Sequence, residues 1–226
     1  MPESSPVLLL HGALGTAATM DVFRPHLPAP AHAFDFAGHG TRSSEPGAFS
    51  IERFAGDVIA YLDAHDIARA AFVGYSMGGY VALYLAVHHP ERVARVVTFG
   101  TKLAWSPEAA ARETRFLDPD VIAVKVPGFA ATLAERHGVE CWGEVCRRTA
   151  GMLRELGERP VLGDGEFAGI GCAVRLVVGD RDGTVSVEET LAVSRVIGGA
   201  ELAVLPGTPH ALEQVRGEWV GAVVVG

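Results

Sequence analysis

The sequence predicts an α/β fold: a doubly wound, mostly parallel sheet of about six strands, with a helical insertion between two of them. Three observations predict it. Short apolar runs recur along the 226 residues, and they are continuous rather than alternating, as strands buried on both faces of a parallel sheet must be. Longer stretches with helical spacing separate most of them, giving repeated strand–helix units. One stretch, 102–171, breaks that alternation with helical patterns alone.

The predicted strands are "VLLL" (7–10), "AHAFDF" (31–36), "RAAFVGY" (69–75), "VARVVTFG" (93–100), "AVRLVVGD" (173–180) and "AELAVLPG" (200–207). Between the second and third, "IERFAGDVIAYLDAH" (51–65) sets Phe54, Val58, Ile59 and Leu62 on one helical face, with Ser50 as N-cap. "MGGYVALYLAVHH" (77–89) is the next helix, and Pro90 stops it. "VSVEETLAVSRVIGG" (185–199) follows the fifth strand and halts at Gly198-Gly199. Inside the insertion, 106–117, 127–138 and 141–157 read as helices. "EQVRGEWVGAVVVG" (213–226) is expected to close the chain as a short helix. The whole, 1–226, reads as one domain.

Composition excludes several function classes. Hydrophobic residues are 49% and charged residues 20% of the chain, which suits a packed core rather than disorder. A net charge of -8 and the lack of a Lys/Arg run argue against a nucleic-acid partner, since a phosphate backbone needs a basic face. No stretch approaches the roughly 20 apolar residues of a membrane span. "MPESSPVLLLHG" lacks the basic start and long apolar core of a secretory signal, so a cytoplasmic location is expected. Cys141, Cys146 and Cys172 form no C-x-x-C pair and are read as reduced thiols. No cofactor is expected, because neither a P-loop nor a G-x-G-x-x-G cradle is present. No cluster has metal-ligand spacing, so no metal is expected either.

Chemistry concentrates in "VGYSMGG" (73–79). Gly74-Tyr75-Ser76-Met77-Gly78 fits G-x-S-x-G at a strand-to-helix junction, the setting that gives the pattern meaning. Glycines let a turn that sharp close, and the serine hydroxyl then stands above the carboxyl end of the sheet. A hydroxyl is a weak nucleophile and needs a base. His210, in "LPGTPHALEQV" just after the last predicted strand, sits at that same end. The base in turn needs a carboxylate, and "VVGDRDGTV" (177–185) offers Asp180 or Asp182. An oxyanion would be met by the backbone N–H groups of Met77 and of Ala13, in the turn of "LLLHGALG" (8–15) after the first strand. His11 and His39 read as loop braces.

These motifs together resemble the α/β-hydrolase superfamily. "HGALG" (11–15), "DFAGHGTRS" (35–43), "GYSMGG" (74–79), "GDRDGTV" (179–185) and "PGTPH" (206–210) occur in that family's order across nearly the whole chain. The resemblance implies Ser76 as nucleophile, His210 as base, Asp182 rather than Asp180 as acid, and Ala13 and Met77 as oxyanion donors. It also implies that 102–171 is the family's lid, with Tyr80, Trp105, Phe129 and Trp142 as candidate pocket residues, alongside Phe116 and Met152. Two departures stand out. The usual N-terminal hairpin strands are expected to be missing, and the C-terminal part is short. A serine nucleophile sets the chain apart from the superfamily's dehalogenases and epoxide hydrolases, which carry an aspartate there. Tyr80 stands where a menaquinone-pathway lyase with a similar "GYSMGG" has arginine.

The expected function is a serine hydrolase for a small, fairly apolar carboxylic ester, with a small molecule as its partner. The same residues could serve C–C bond, lactone or thioester hydrolysis or acyl transfer, which fold analogy does not separate. A non-catalytic ligand-binding member is the remaining class.

Overall fold

The computed structural model describes residues 5–27 and 31–225. In chain order the strands are β1 (Val7–Leu10), β2 (Ala31–Ala33), β3 (Ala70–Tyr75), β4 (Val93–Phe99), β5 (Ala173–Gly179) and β6 (Glu201–Leu205). They form one six-stranded sheet in the order β2-β1-β3-β4-β5-β6. Every neighbouring pair is parallel, so the mostly parallel sheet expected from sequence is wholly parallel among the described residues. Strand direction of travel reverses between β1 and β3, and open sheets of this kind place ligands at such a switch point. Register aligns the strand ends: Leu10 pairs with Gly74, Tyr75 with Phe99, Phe99 with Val177, and Gly179 with Leu205. The loops that follow these strands therefore stand side by side.

The helices are α1 (Ile51–Ala64), α2 (Met77–His88), α3 (Pro107–Thr114), α4 (Pro119–Lys125), α5 (Pro127–His137), α6 (Trp142–Glu158), α7 (Asp164–Ala168), α8 (Val187–Val196) and α9 (Gly217–Val225). Two cores lie on the two sheet faces. Leu8, Leu10 and Phe72 point into the first, with Phe54 and Val58 of α1 and Val81 and Leu85 of α2. Val7, Leu9, Val73 and Val97 point into the second, with Val220 of α9 and Met20 and Phe23 of a 3-10 segment at Ala17–His26. The period of two along each strand distributes its residues between the faces. Burying each of these side chains contributes about 1.5–3 kcal/mol. Nine of the twelve residues of α2 are buried, because the sheet lies on one side and α1 and α7 on others.

Element boundaries follow local chemistry. Ser50 caps α1 by accepting from the Arg53 N–H at 3.1 Å. The second strand is shorter than the expected 31–36. Beyond Ala33 the chain peels away, because the Asp35 carboxylate gathers the Ala17 N–H (2.7 Å), the Thr41 N–H (2.8 Å) and the Thr41 hydroxyl (2.7 Å). α8 ends at Val196 rather than at the glycines, since Ile197 already has extended backbone, φ -75 and ψ 117. α4 was not expected. Asp118 caps it through the Asp120 and Val121 N–H groups and Pro119 opens its first turn, a pairing visible in the sequence as Asp-Pro.

Five helices, α3 to α7, lie between β4 and β5 in the chain. The segment that leads from β4 into α3 is tied down by Glu189 of α8, whose carboxylate accepts the Leu103 and Ala104 N–H groups at 2.6 and 2.7 Å. Among the described residues no helix is long and apolar enough to cross a membrane. All three cysteines are free thiols, and burial pushes the Cys146 thiol up to about 11, which leaves it unreactive.

Candidate active site

Ser76 sits between β3 and α2 with φ 50 and ψ -116, in the left-handed half of backbone space. A non-glycine residue held there costs roughly 1–3 kcal/mol, offset by the packing around it. Its neighbours show why the turn closes with these residues. A Cβ on Gly74 would meet the Gly78–Gly79 backbone, one on Gly78 would meet the Leu10 carbonyl, and one on Gly79 would meet the Thr101 hydroxyl. The turn is pinned by Ser76 N–H donating to the Phe99 carbonyl (2.8 Å) and the Thr101 hydroxyl donating to the Ser76 carbonyl (3.0 Å).

His210 follows β6 on a loop fastened at several points. Thr208 N–H donates to Asp180 (3.2 Å), Arg181 N–H donates to the Thr208 carbonyl (3.2 Å), and the Tyr75 hydroxyl donates to the His210 carbonyl (2.8 Å). The His210 Nδ1 lies 2.8 Å from Asp182 Oδ2. The other carboxylate oxygen of Asp182 accepts the Thr184 and Val185 N–H groups, each at 2.8 Å. The Asp182 side chain is 1% exposed. The two aspartates that the sequence left open thus have different places: Asp182 faces the imidazole, and Asp180 holds the loop that carries it. With Nδ1–H donated to Asp182, Nε2 is left to take a proton.

Ser76, His210, Ala13 and Met77 all line one cavity of about 370 Å³. Ala13 lies in a turn closed by the Gly15 N–H on the Gly12 carbonyl (3.1 Å), with Leu14 at φ 58. Among the described residues, the N–H groups of Ala13 and Met77 have no protein acceptor. Many of the cavity's other walls come from the segment between β4 and β5. They include Trp105, Phe116, Phe129 and Met152, with Tyr80 from α2.

A family model described as the alpha/beta hydrolase fold matches residues 5–139. The chain belongs to the α/β-hydrolase family. Curated relatives match this α/β hydrolase over part of its length. The 3-oxoadipate enol-lactonase 2 of Acinetobacter baylyi is 37% identical over 92 residues, covering 38% of this chain and 34% of that protein. The pimeloyl-[acyl-carrier protein] methyl ester esterase of Citrobacter koseri is 38% identical over 132 residues, covering 57% of this chain and 46% of that one. The matches thus span between a third and a half of the relatives' own length. Among solved structures, a hydrolase from Pseudomonas aeruginosa is 25% identical, with TM-score 0.75, over 100% of this chain and 90% of that chain.

In this α/β hydrolase the expected pocket residues divide. Tyr80, Trp105 and Phe129 line the cavity. Trp142 does not; it starts α6 and packs, partly buried, against the main core. Tyr80 also fastens α2 to the segment after α6, its hydroxyl accepting the Leu162 N–H at 3.2 Å. His11 is the expected brace. Its Nδ1–H donates to Gly12 and its Nε2 accepts the Phe36 N–H, at 2.8 and 3.1 Å, and burial pushes its pKa down to about 4. His39 is buried likewise and held well below the usual range. No group of metal-ligating side chains occurs among the described residues.

Sequence reading missed several residues that shape the site. Gly100 has φ 55, and a Cβ there would lie 3.1 Å from Asp182 Oδ2 and 3.2 Å from His210 Nδ1. No motif marks Gly100, although a glycine just past a strand hints at such a close approach. His137, expected only as a helix end, is 1% exposed. It accepts the Gly40 N–H (3.0 Å) and donates to the Leu14 carbonyl (3.0 Å), so α5 grips the turn that carries Ala13.

Proposed function

We propose that the protein is a serine hydrolase that cleaves a small, fairly apolar carboxylic ester through an acyl-enzyme on Ser76. The observation that carries this reading is the shared cavity: a strained serine, a histidine whose far nitrogen is paired to a buried carboxylate, and two unused backbone donors all face it. His210 Nε2 takes the Ser76 proton as Oγ attacks the ester carbonyl. The developing oxyanion is met by the N–H groups of Ala13 and Met77, which need no reorganisation. As the tetrahedral species collapses, the imidazolium returns its proton to the leaving alkoxide. Water then repeats the sequence on the acyl-enzyme and frees the acid. Asp182 keeps the imidazole oriented and stabilises its charge.

Segment 102–171 acts as the lid. Its apolar and aromatic side chains favour an apolar acyl chain, and about 370 Å³ suits a short one. Family membership and relatives named as esterases and enol-lactonases support the reaction class. A lactone is an internal ester and would open by the same first step.

The test is partitioning. With p-nitrophenyl butyrate and phenyl butyrate, added methanol intercepts a common butyryl-enzyme and yields methyl butyrate and butyric acid in a ratio independent of the leaving group. A ratio that changes when phenyl replaces p-nitrophenyl contradicts the intermediate. Turnover of C–C substrates or acyl-CoA without ester turnover would replace the ester assignment.

A further inference from the structure

The cavity carries two charged side chains besides His210, Lys102 and Glu113. Lys102 is already balanced. Its ammonium lies 3.4 Å from Glu189 and 3.4 Å from the Thr184 carbonyl, with both side chains of the pair about nine-tenths buried. The carboxylate of Glu113, near the end of α3, has neither a hydrogen bond nor an ion pair within 4 Å among the described residues. The cavity is otherwise mostly apolar, and a carboxylate in such a setting loses hydration that nothing in the protein replaces. Aromatic rings line the same space: Trp105, Phe116 and Phe129. The Lys102 ammonium lies 5.9 Å from the Trp105 ring and the Arg115 guanidinium 4.4 Å from the Phe116 ring, so the Phe129 face is the one with no protein cation over it among the described residues. Aromatic rings attract organic cations through their quadrupole, and a carboxylate beside them adds a full charge.

We propose that Glu113, together with the Phe129 face, makes this a site for esters that carry an alkylammonium group and a poor site for esters that carry a carboxylate. This rests on the esterase reading and names its substrate class. Glu113 is a specificity-determining residue that would touch the substrate's cation, not the reacting atoms. Burial raises the pKa of its carboxyl, against the opposing pull of the Lys102 and His210 charges. A bound cation would offset that penalty. A substrate carboxylate would meet Glu113 with no free ammonium to receive it, since Lys102 is engaged.

The experiment compares three p-nitrophenyl esters of matched length: butyrate, 4-(trimethylammonio)butyrate and the glutarate half-ester. At an effective dielectric of about 40, between that of a protein surface and that of water, charges about 6 Å apart give roughly tenfold. Wild type should therefore show kcat/KM for the cationic ester about tenfold above butyrate, and for the anionic ester about tenfold below. In Glu113→Gln and Glu113→Ala the cationic-to-anionic ratio should fall by about tenfold or more. The ratio is taken within each variant, so a lower folded fraction does not affect it. Turnover of all three esters with a flat ranking in wild type overturns this inference and leaves the esterase reading standing. So does a ranking that both variants retain. No turnover of any ester by wild type overturns the esterase reading, and the charge preference with it.

Discussion

At the scale of single residues, the proposed chemistry depends on a few atoms with separable roles. Ser76→Ala should lower kcat by about 10⁴-fold or more, because the histidine, carboxylate and serine act as a unit. The two aspartates supply an internal control. Asp182→Asn should cost about 10⁴-fold in kcat by presenting the wrong imidazole tautomer. Asp180→Asn removes only the charge from a 3.2 Å contact to the Thr208 N–H, so it should change kcat a few-fold and stability by about 1 kcal/mol. Steady-state kinetics and thermal melts on the pair check this, and equal effects on kcat would contradict the assignment of roles. Gly100→Ala should lower kcat with little change in KM, since the added methyl would press on the 2.8 Å contact between His210 and Asp182. Ser76 and His210 were legible because short motifs at strand ends place them. Gly100 was not, because its constraint is a contact with residues 82 and more positions away.

At the scale of elements, the sheet was readable and the helical segment over it less so. Continuous apolar runs identified all six strands, since burial on both faces leaves little freedom of composition. β2 was overdrawn because Phe34 and Phe36 look like strand residues, while Asp35 between them recruits three donors and bends the chain away. α4 and α7 are short and lie outside strand–helix repeats, so their evidence is confined to caps. Trp142 was drawn as a pocket wall and packs onto the core instead, as hydrophobicity alone does not say which face of α6 is which. The link from α5 to the turn bearing Ala13 is the least visible in sequence and has a measurable consequence. His137→Phe leaves the Leu14 carbonyl and Gly40 N–H without their buried partner. It should lower stability by about 2–4 kcal/mol, or roughly 5–15 °C in Tm, and should also lower kcat at temperatures far below the melt. A lower Tm with unchanged kcat would mean that α5 only packs there.

For the whole molecule, three buried histidines set its response to acid. Burial holds His11, His39 and His137 below the ordinary imidazole range. Each is therefore neutral when folded, while the unfolded chain takes up protons as pH drops through about 6.5. Stability from these groups is complete above that value and is lost as pH falls toward their folded pKa, which for His11 is about 4. His11 alone accounts for about 3 kcal/mol across that window. Melts at pH 7.5 and pH 5 should differ by several degrees, and a Tm independent of pH between 7 and 4.5 would contradict this. The three rings also join parts of the site, with centroids 5.1 Å apart for His11–His39 and 5.7 Å for His39–His137, so acid unfolding and loss of the Ala13 turn should coincide. The central claim concerns one oxygen atom, and it can be tested on the intact folded chain without knowing the natural substrate. Reaction with a fluorophosphonate, digestion and mass spectrometry should place a single phosphonyl group on Ser76, with labelling abolished by Ser76→Ala and slowed by more than about 10³-fold in His210→Ala. Folded protein that takes up no label, or takes it at a serine other than Ser76, would contradict the account.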